Sequence, residues 1–461
     1  MTDPEDTWSD GLLETGLGSP RAAAALSWQT RVRRMLEVER ALAQVQARRG
    51  LITGAQADAI VEACDPARID LAALGRDAAV AATPVIPLLG QVRALLPEDA
   101  QGALHLGATS QDVIDTAVVL QVRDALDLLE EELTGLARRC AGLADAHRST
   151  VLPGRTLKQQ AVPITFGLLA ARWLGAFDRR LEQLRSTRPR VLVVQFGGAA
   201  GTLGALPDGG PALVGDLAAA LHLAAPDLAW HAERDRIVEV AGLLAGVTAV
   251  VGKVARDLVD LSSTEIGEVA TRPRHGAGSS AMPHKGRNPV DAVAARAAAR
   301  LANGDITTLL GAAADHEHER AAGAWQAEVV ALPAALVRTI GAAERLAAAL
   351  DTLEVDPDRG RHNLDANHGL AASEALAVAL AADLGRPAAQ ELVAELATQA
   401  VDERRTLVEV AATDERVRAA LSTEQVAAAG DPSGSLMHVD TLIDGALRTH
   451  RRTVPDPEVP T

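Results

Sequence analysis

Apolar residues recur at three- to four-residue spacing along most of this chain, and the apolar-polar alternation typical of strands is hard to find. Ala, Leu, Arg and Glu fill the periodic segments, while Tyr is absent and Phe and Trp are scarce, a composition that favours helices. Long periodic segments include residues 31–48, 112–147, 160–184, 237–262 and 289–310. The pattern therefore predicts an all-α fold. Because several segments exceed ordinary helix length and have little polar face, we expect an extended bundle that packs against other copies of the chain.

Turn signals divide the chain into three predicted domains. Residues 1–109 contain short segments separated by Gly and Pro turns, which indicates an N-terminal helical domain. Residues 110–356 hold the long helices of a central bundle. The segments shorten again after Asp356-Pro357, so residues 357–461 are expected to form a small C-terminal helical domain. Its last stretch, TVPDPEVPT, is expected to be disordered.

Composition and charge limit the classes of partner. With 461 residues, an apolar share of 48% and a formal net charge of −16, the chain predicts a folded acidic protein. This charge argues against nucleic acid and anionic membranes as partners, because both are bound through clustered Lys and Arg. Any anionic ligand must therefore be attracted by a local basic pocket.

The cysteine content, the N-terminal segment and the length of the apolar runs favour a cytoplasmic location. Two cysteines, Cys64 and Cys140, exclude a disulfide framework and are expected to be small buried side chains. The N-terminus is acidic and lacks the pattern of a secretory signal. The longest apolar run, residues 241–252, is too short to span a bilayer and predicts a buried helix.

Three polar islands interrupt the helical pattern. The first, residues 105–112, places its polar side chains just before a long predicted helix, where free N–H groups favour an anion; Thr109 or Ser110 as an ordinary N-cap is the alternative. The second, residues 154–160, leads into another predicted helix. The third, residues 278–289, is too rich in Gly and Pro to be helical. Its polar side chains suit carboxylate binding and proton transfer, with a plain surface loop as the equal alternative; they are Ser279, Ser280, His284, Lys285, Arg287 and Asn288.

The three islands, HLGATSQDVIDTA, GRTLKQQAVPITFG and GSSAMPHKGRNPV, resemble in order the three signature regions of the fumarase/aspartase superfamily. Further similarity lies in RRMLEVERALA, QFGGAAGTLGAL, WHAERDRI, TEIGEV and HEHERAAGAW, so the resemblance covers nearly the whole chain. Within the superfamily the sequence is most similar to the bacterial 3-carboxy-cis,cis-muconate cycloisomerases, followed by the adenylosuccinate lyases. The resemblance implies an all-helical, three-domain subunit and a homotetramer whose active sites each combine signatures from three subunits.

The resemblance also implies a chemistry. Superfamily members remove a proton α to a carboxylate and expel a group from the β carbon, or run the reverse, so they must stabilise a dianionic aci-carboxylate. By resemblance Ser279 is the base, Lys285 stabilises the carbanion, and His105 orients or protonates a small polycarboxylate substrate, or else only binds backbone. The implied substrate-binding residues are Thr109, Ser110, Arg155, Gln159, Ser280, Met282, Asn288 and Arg320. No metal or other cofactor is predicted. For Arg320 the alternative is a helix-surface ion pair with Glu317 or Asp315.

Leu157 narrows the predicted reaction. Relatives that expel an amine or hydroxide resemble one another in having a histidine after Arg-Thr in the second signature, where this chain has Leu157. A leaving group of high pKa needs a proton donor, whereas a carboxylate does not. The sequence therefore predicts a cycloisomerase that interconverts 3-carboxy-cis,cis-muconate and 4-carboxymuconolactone, in the protocatechuate branch of aromatic catabolism. A lyase that releases nitrite from nitrosuccinate is the alternative, because nitrite also leaves without an acid; adenylosuccinate-type cleavage is disfavoured.

Gly286 supports a third possibility, a non-catalytic tetrameric relative. The superfamily has one residue between the signature lysine and asparagine, whereas two residues separate Lys285 from Asn288 here. An extra residue displaces one of these side chains by up to about 3.5 Å if the chain is extended, unless Gly286 absorbs it as a bulge. Two other motifs carry less weight. The HEHE run at residues 316–319 does not have zinc-site spacing, and the GxxGxxG run at residues 198–204 favours close backbone packing or substrate approach over a dinucleotide site.

Overall fold

A computed structural model of the chain describes residues 16–206, 209–272, 282 and 287–455. The helices before the second signature are α1 (Pro20–Ala25), α2 (Trp28–Arg48), α3 (Gly54–Ala63), α4 (Leu71–Ala81), α5 (Val85–Ala94), α6 (Glu98–Gln101) and α7 (Ser110–Ala146). The next are α8 (Phe166–Val191), α9 (Gly210–Ala220), α10 (Asp235–Leu261), α11 (Val290–Ala314) and α12 (Ala324–Asp351).

Shorter helices form the C-terminal part. They are α13 (Pro357–Asp365), α14 (Ser373–Leu384), α15 (Arg386–Glu403), α16 (Leu407–Thr413), α17 (Glu415–Ala420), α18 (Thr423–Gly430), α19 (Pro432–Ser435) and α20 (Val439–Thr453). Two 3₁₀ turns, Pro66–Arg68 and Leu370–Ala372, complete the helical elements of the described ranges. Thr453 ends α20, so the prediction of a disordered tail is wrong for that residue.

Two antiparallel strand pairs are the sheet structure of the described part: β1 (Val151–Thr156) with β2 (Gln159–Thr165), and β3 (Val269–Thr271) with β4 (Leu353–Val355). The helix predicted from residue 160 is therefore wrong in its first turns, since α8 begins at Phe166. Pro163 explains the difference, because proline inside a helix removes a hydrogen bond and clashes with the preceding turn. Pro163 instead lies opposite Pro153 in the strand pair.

Contacts group the chain into two compact units. The first contains Met1–Glu132, Arg180–Gly252 and Ala294–Glu344, and the second contains Leu133–Arg179, Lys253–Val293 and Arg345–Thr461. The predicted division into three domains at residues 109 and 356 stays a prediction.

Each unit has its own apolar core. In the first unit the long helices bury Met35, Leu120, Leu244 and Ile340 almost completely. Both cysteines are free and buried.

In the second unit Phe166 and Trp173 pack edge-to-face at 5.7 Å between ring centroids. A separate group of leucines and valines from α14 to α18, including Leu380 and Leu407, forms the core of its C-terminal part. Leucine and valine side chains of this kind each contribute about 1.5–3 kcal/mol when fully buried.

The predicted apolar run is part of α10, whose 27 residues make it the one described helix that is long and apolar enough to cross a membrane. Half of its most apolar window is buried within the protein, including the side chains of Leu244 and Val247. A single such helix with buried side chains is typical of a protein core.

Candidate active site

His105 lies in the loop between α6 and α7, with a positive φ of 64°. Its ring Nδ1 is 2.5 Å from Oε1 of Glu39, which is on α2. The Glu39 carboxylate is almost fully buried, whereas the His105 ring is 16% exposed. The predicted alternative for His105, a hydrogen bond to backbone, is not the contact found for this ring; its described partner is a carboxylate.

The first signature begins α7. The helix starts at Ser110, so Thr109 occupies the N-cap position, one of the two N-cap positions expected from sequence. The N–H of Thr109 donates to the carboxylate of Asp112 at 2.9 Å, one arm of a capping box. Within the described residues the hydroxyls of Thr109 and Ser110 have no hydrogen-bond partner. These hydroxyls are therefore available beside the positive end of the helix dipole.

Asp112 joins three segments of the first unit. Its oxygens accept the N–H groups of Gly197 at 3.0 Å and Gly198 at 2.9 Å, and Nε2 of His231 lies 2.7 Å away. A Cβ on Gly197 would lie 2.5 Å from the Cβ of Ala229, so the glycine is required by close packing. The glycine-rich run thus packs closely against neighbouring backbone and side chains, one of the two roles expected for it.

A buried ionic network lies one turn further along α7. Arg234 is between two carboxylates: Nη1 donates to Asp115 at 2.8 Å and Nε donates to Glu328 at 3.0 Å. All three side chains are at most 3% exposed. The indole N–H of Trp325 donates to Asp115 at 2.9 Å. One cation, immediately before α10, thus holds α7 and α12 together through almost fully buried groups.

The two carboxylates of this network titrate differently. Burial alone would raise the pKa of Asp115, but the charge and hydrogen bonds of Arg234 hold it below its ordinary value. Burial raises the pKa of Glu328, and its bonds to Arg234 offset only part of that rise. Burial also lowers the pKa of His316, whose Nε2 lies 3.9 Å from Glu328.

Arg320 connects the first signature to the glycine-rich run. Its Nη1 donates to Oε1 of Gln111 at 2.8 Å, and its Nη2 donates to the carbonyl of Ala199 at 2.6 Å. Arg320 lies in the loop between α11 and α12, so the alternative of a helix-surface ion pair is wrong. The HEHE run lies in the same loop. All protein acceptors recorded for Arg320 are uncharged.

The second signature forms the tip of the β1–β2 hairpin. Thr156 pairs with Gln159, leaving Leu157 and Lys158 as a two-residue turn with φ of 48° and 66°. Positive φ at both turn residues is the geometry of a type I′ hairpin. Leu157 is 96% exposed, and the side chain of Gln159 is also exposed.

Arg155 is bound within the second unit. Its Nη1 and Nη2 donate to the two oxygens of Glu268 at 2.9 and 2.5 Å. Asn363 donates to the same carboxylate at 2.8 Å. Glu268 is 2% exposed and Arg155 is 19% exposed, so this is a bidentate pair between a half-buried arginine and a buried carboxylate.

The third signature is described only in part. Met282 is 54% exposed, and Asn288 lies two residues before the start of α11, with its carbonyl accepting the N–H of Val290 at 2.8 Å. Arg287 pairs with Glu354 at 3.2 Å. The other residues predicted from this loop lie outside the described residues: Ser279, Ser280, His284, Lys285 and Gly286.

Sequence reasoning missed the buried polar residues that hold the site. Asp112 and Asp115 are three residues apart on one face of α7, among apolar neighbours, and that spacing was the available signal. Their partners His231, Arg234 and Glu328 are distant in sequence, so no local pattern predicts the contacts. Within the described ranges no group of three His, Cys, Asp or Glu residues is placed to hold a metal ion.

The fold and the signature segments define a helical subunit of the lyase type. A family model described as Lyase matches residues 19–304, and one described as Adenylosuccinate lyase C-terminus matches residues 369–446. The chain therefore belongs to the fumarase/aspartase superfamily of lyases that its three signatures predicted. The all-α fold predicted from the hydrophobic pattern is confirmed.

Similar proteins match over nearly their full length. The 3-carboxy-cis,cis-muconate cycloisomerase of Pseudomonas aeruginosa is 42% identical over 431 residues, which are 93% of this chain and 94% of the relative. The nitrosuccinate lyase of Streptomyces davaonensis is 38% identical over 96% of this chain and 97% of its own length. The crystal structure of 3-carboxy-cis,cis-muconate lactonizing enzyme from Pseudomonas putida superposes with a TM-score of 0.89 at 39% identity, covering 96% of this chain and 99% of that one.

Proposed function

We propose that this protein is a cycloisomerase that interconverts 3-carboxy-cis,cis-muconate and 4-carboxymuconolactone. The observation that carries the proposal is the full-length similarity to cycloisomerases, at 42% identity in the sequence comparison and a TM-score of 0.89 in the structural one. The predicted role in the protocatechuate branch of aromatic catabolism follows from that activity.

The proposed reaction is an addition and its reverse. One substrate carboxylate oxygen attacks a diene carbon, and the resulting carbanion, stabilised as an aci-carboxylate, takes up a proton to give the lactone. In the reverse direction Ser279 removes the proton α to a carboxylate. The bond from the β carbon to the lactone ring oxygen then breaks, and that oxygen leaves as part of a carboxylate. Lys285 stabilises the carbanion. A serine hydroxyl acts as a base only where nearby cations favour the alkoxide.

The first signature supports carboxylate binding. Thr109 and Ser110 place two hydroxyls at the N-terminus of a 37-residue helix, where free N–H groups also favour an anion. We propose that these two hydroxyls bind a substrate carboxylate. The remaining proposed substrate contacts are Arg155, Gln159, Ser280, Met282, Asn288 and Arg320.

Leu157 supports a leaving group that needs no acid. At the hairpin tip it presents an apolar, almost fully exposed side chain with no proton to give. A carboxylate leaves without protonation, and so does nitrite, because both are weak bases. An amine or hydroxide leaving group would lack its donor at this position.

We also propose a cytoplasmic homotetramer. The first signature belongs to one compact unit, while the second signature and the described part of the third belong to the other. Large apolar side chains remain exposed along α11, among them Val293, Leu301 and Leu310. Apolar surface of this kind is typical of interfaces between subunits. We propose that subunit association covers these exposed side chains and completes each site with signatures from three chains.

Substrate turnover tests the proposal. Purified protein is incubated separately with 3-carboxy-cis,cis-muconate, nitrosuccinate, adenylosuccinate and argininosuccinate, and products are followed by ultraviolet absorbance and mass. We expect lactone from the muconate and no fumarate from the others. Ser279→Ala is expected to abolish turnover, while Ser186→Ala, an exposed serine on α8, keeps it. Full activity of Ser279→Ala would overturn the assignment of the base.

Nitrosuccinate lyase is the second candidate, because the relative with that name is 38% identical over 96% of this chain. Nitrite release from nitrosuccinate without lactone formation would replace the first proposal with the second. Silence on all four substrates, with an intact tetramer by light scattering, would favour the non-catalytic alternative that the extra residue Gly286 suggested.

A further inference from the structure

Glu39 is a buried carboxylate with an incomplete set of hydrogen bonds. Its side chain is 1% exposed, and Oε2 has no hydrogen-bond partner within the described part of the chain. Asp112, another buried carboxylate, is by contrast well satisfied: it accepts three backbone N–H groups and contacts His231. A buried ionised carboxylate without enough partners is costly, so its retention calls for an explanation.

The recorded partner of this carboxylate is the ring of His105. Oε1 of Glu39 and Nδ1 of His105 are 2.5 Å apart, a short contact typical of a hydrogen bond to a charged group. Because a carboxylate accepts and does not donate, Nδ1 is the nitrogen that holds the proton. The tautomer and the plane of the ring are therefore fixed from one side.

The other side of the ring is open. The His105 ring is 16% exposed, and its Nε2 makes no recorded hydrogen bond to any described residue. The backbone of His105 is in the left-handed region, at φ 64°, which costs a non-glycine residue roughly 1–2 kcal/mol. Gln46 supports this loop by donating to the carbonyl of Leu106 at 2.7 Å.

Of the described groups near Glu39, His105 is the one that hydrogen-bonds to its carboxylate. Burial, and then the nearby Glu39 charge, raise the pKa of the Cys64 thiol to about 12, so this neighbour stays a neutral thiol. Arg40 follows Glu39 on α2 and is exposed.

We propose that Glu39 is a positioning residue: it holds His105 in the Nδ1-protonated tautomer and directs Nε2 toward the substrate beside Thr109 and Ser110. This inference rests on the proposed function, because it assigns His105 a role in that reaction. A carboxylate behind a histidine performs the same task in catalytic triads and around metal sites, where its loss leaves the fold intact and lowers activity.

A double-mutant cycle tests the proposal with the full-length protein. Glu39→Gln has nearly the same shape and is expected to lower kcat on the order of tenfold or more with little change in KM. Glu37→Gln is the matched control, since Glu37 is a half-exposed carboxylate on the same helix that pairs with Arg34, and it is expected to leave both constants unchanged. His105→Ala is expected to lower kcat as well. If Glu39 acts through His105, the double variant is no slower than His105→Ala; independent, multiplying effects would overturn the proposal.

A spectroscopic measurement keeps the test independent of activity. In ¹⁵N-histidine-labelled wild-type protein, the Nδ1 proton of His105 is expected as a strongly downfield signal that disappears in His105→Ala and moves upfield in Glu39→Gln. Absence of such a signal in the wild type would overturn the pairing. Should Glu39→Gln fail to fold, Glu39→Asp, whose shorter side chain retracts the carboxylate, serves in its place. A wild-type protein inactive on 3-carboxy-cis,cis-muconate but showing this signal would refute the proposed function and leave the pairing intact.

Discussion

Removing Arg234 is expected to destabilise the first unit more than any exposed ion-pair change. The guanidinium lies between Asp115 and Glu328, and all three side chains are at most 3% exposed. Arg234→Met fills a similar space but leaves two buried carboxylates facing each other without a cation. Breaking a buried ion pair in this way costs about 3–5 kcal/mol, because the remaining charge is uncompensated. We expect a loss in that range in the free energy of unfolding.

The pH dependence of the loss follows from the two carboxyl groups. Because Arg234 holds the pKa of Asp115 below its ordinary value, the stability that Asp115 contributes is present above about pH 3.9 and is lost as pH falls through its lower folded pKa. Glu328 has the opposite sign: its raised pKa favours the protonated folded form, so its contribution is present at acidic pH and is lost as pH rises through the folded value. At pH 7, therefore, Asp115→Asn should cost more stability than Glu328→Gln.

Urea unfolding followed by circular dichroism measures both effects at equal protein concentration. Arg190→Met is the matched control, since Arg190 pairs with Glu239 on an exposed surface of the same unit. Exposed pairs contribute little, so its midpoint should stay close to that of the wild type. A midpoint for Arg234→Met that coincides with the Arg190→Met midpoint, with equal slopes, would refute the reasoning. The double variant Arg234→Met/Glu328→Gln should recover part of the loss, because it removes one stranded charge.

Three further predictions concern the candidate site. Asp112→Asn should lower the free energy of unfolding by about 1.5–3 kcal/mol, because it exchanges a charged acceptor of backbone N–H groups for a neutral one. An unchanged urea midpoint would contradict this prediction. In steady-state kinetics, Arg320→Gln should raise KM for a polycarboxylate substrate more than Arg155→Gln does, whereas Arg155→Gln should lower the urea midpoint more. The reverse order in both measurements would exclude these roles for the two arginines. Leu157→Gly should leave the thermal midpoint unchanged or raise it, because glycine relieves a left-handed backbone cost of about 1–2 kcal/mol; a clear drop would show that the leucine side chain makes contacts of its own.

The hydrophobic pattern predicted several long helices closely. Each of these helices buries a stripe of apolar side chains, and the length of the buried stripe sets where the helix begins and ends. The segment expected at residues 31–48 is Trp28–Arg48, and the one expected at residues 112–147 is Ser110–Ala146. The pattern failed at residues 160–165. There Pro163 disfavours a helix, and the two-residue turn at Leu157 and Lys158 pairs β1 with β2. Leucine and lysine are not typical of a type I′ turn, so no signal for it was present in the local sequence.

The candidate site could be proposed from sequence, but its supports could not. The signature motifs pointed to His105, Thr109 and Ser110 because these proposed substrate contacts are close together in the chain. The group behind His105 is Glu39, 66 positions away, and only the folded chain brings its carboxylate to the ring. Pairs of buried charges that are distant in sequence cannot be seen in the hydrophobic periodicity, because a single polar residue on a buried face does not change the pattern of its neighbours.

The charges around the two predicted substrate arginines separate their roles. Arg155 donates two hydrogen bonds to the buried carboxylate of Glu268, so its positive charge is already balanced within the protein. Arg320 donates to the amide oxygen of Gln111 and to backbone carbonyls, which fix its direction without cancelling its charge. Because the chain has a net charge of −16, a polycarboxylate needs an uncompensated local cation of this kind. We therefore expect Arg320 to supply the charge that attracts the substrate. Arg155, whose charge Glu268 balances, is expected to fix the hairpin near its tip and to contact the substrate as a hydrogen-bond donor.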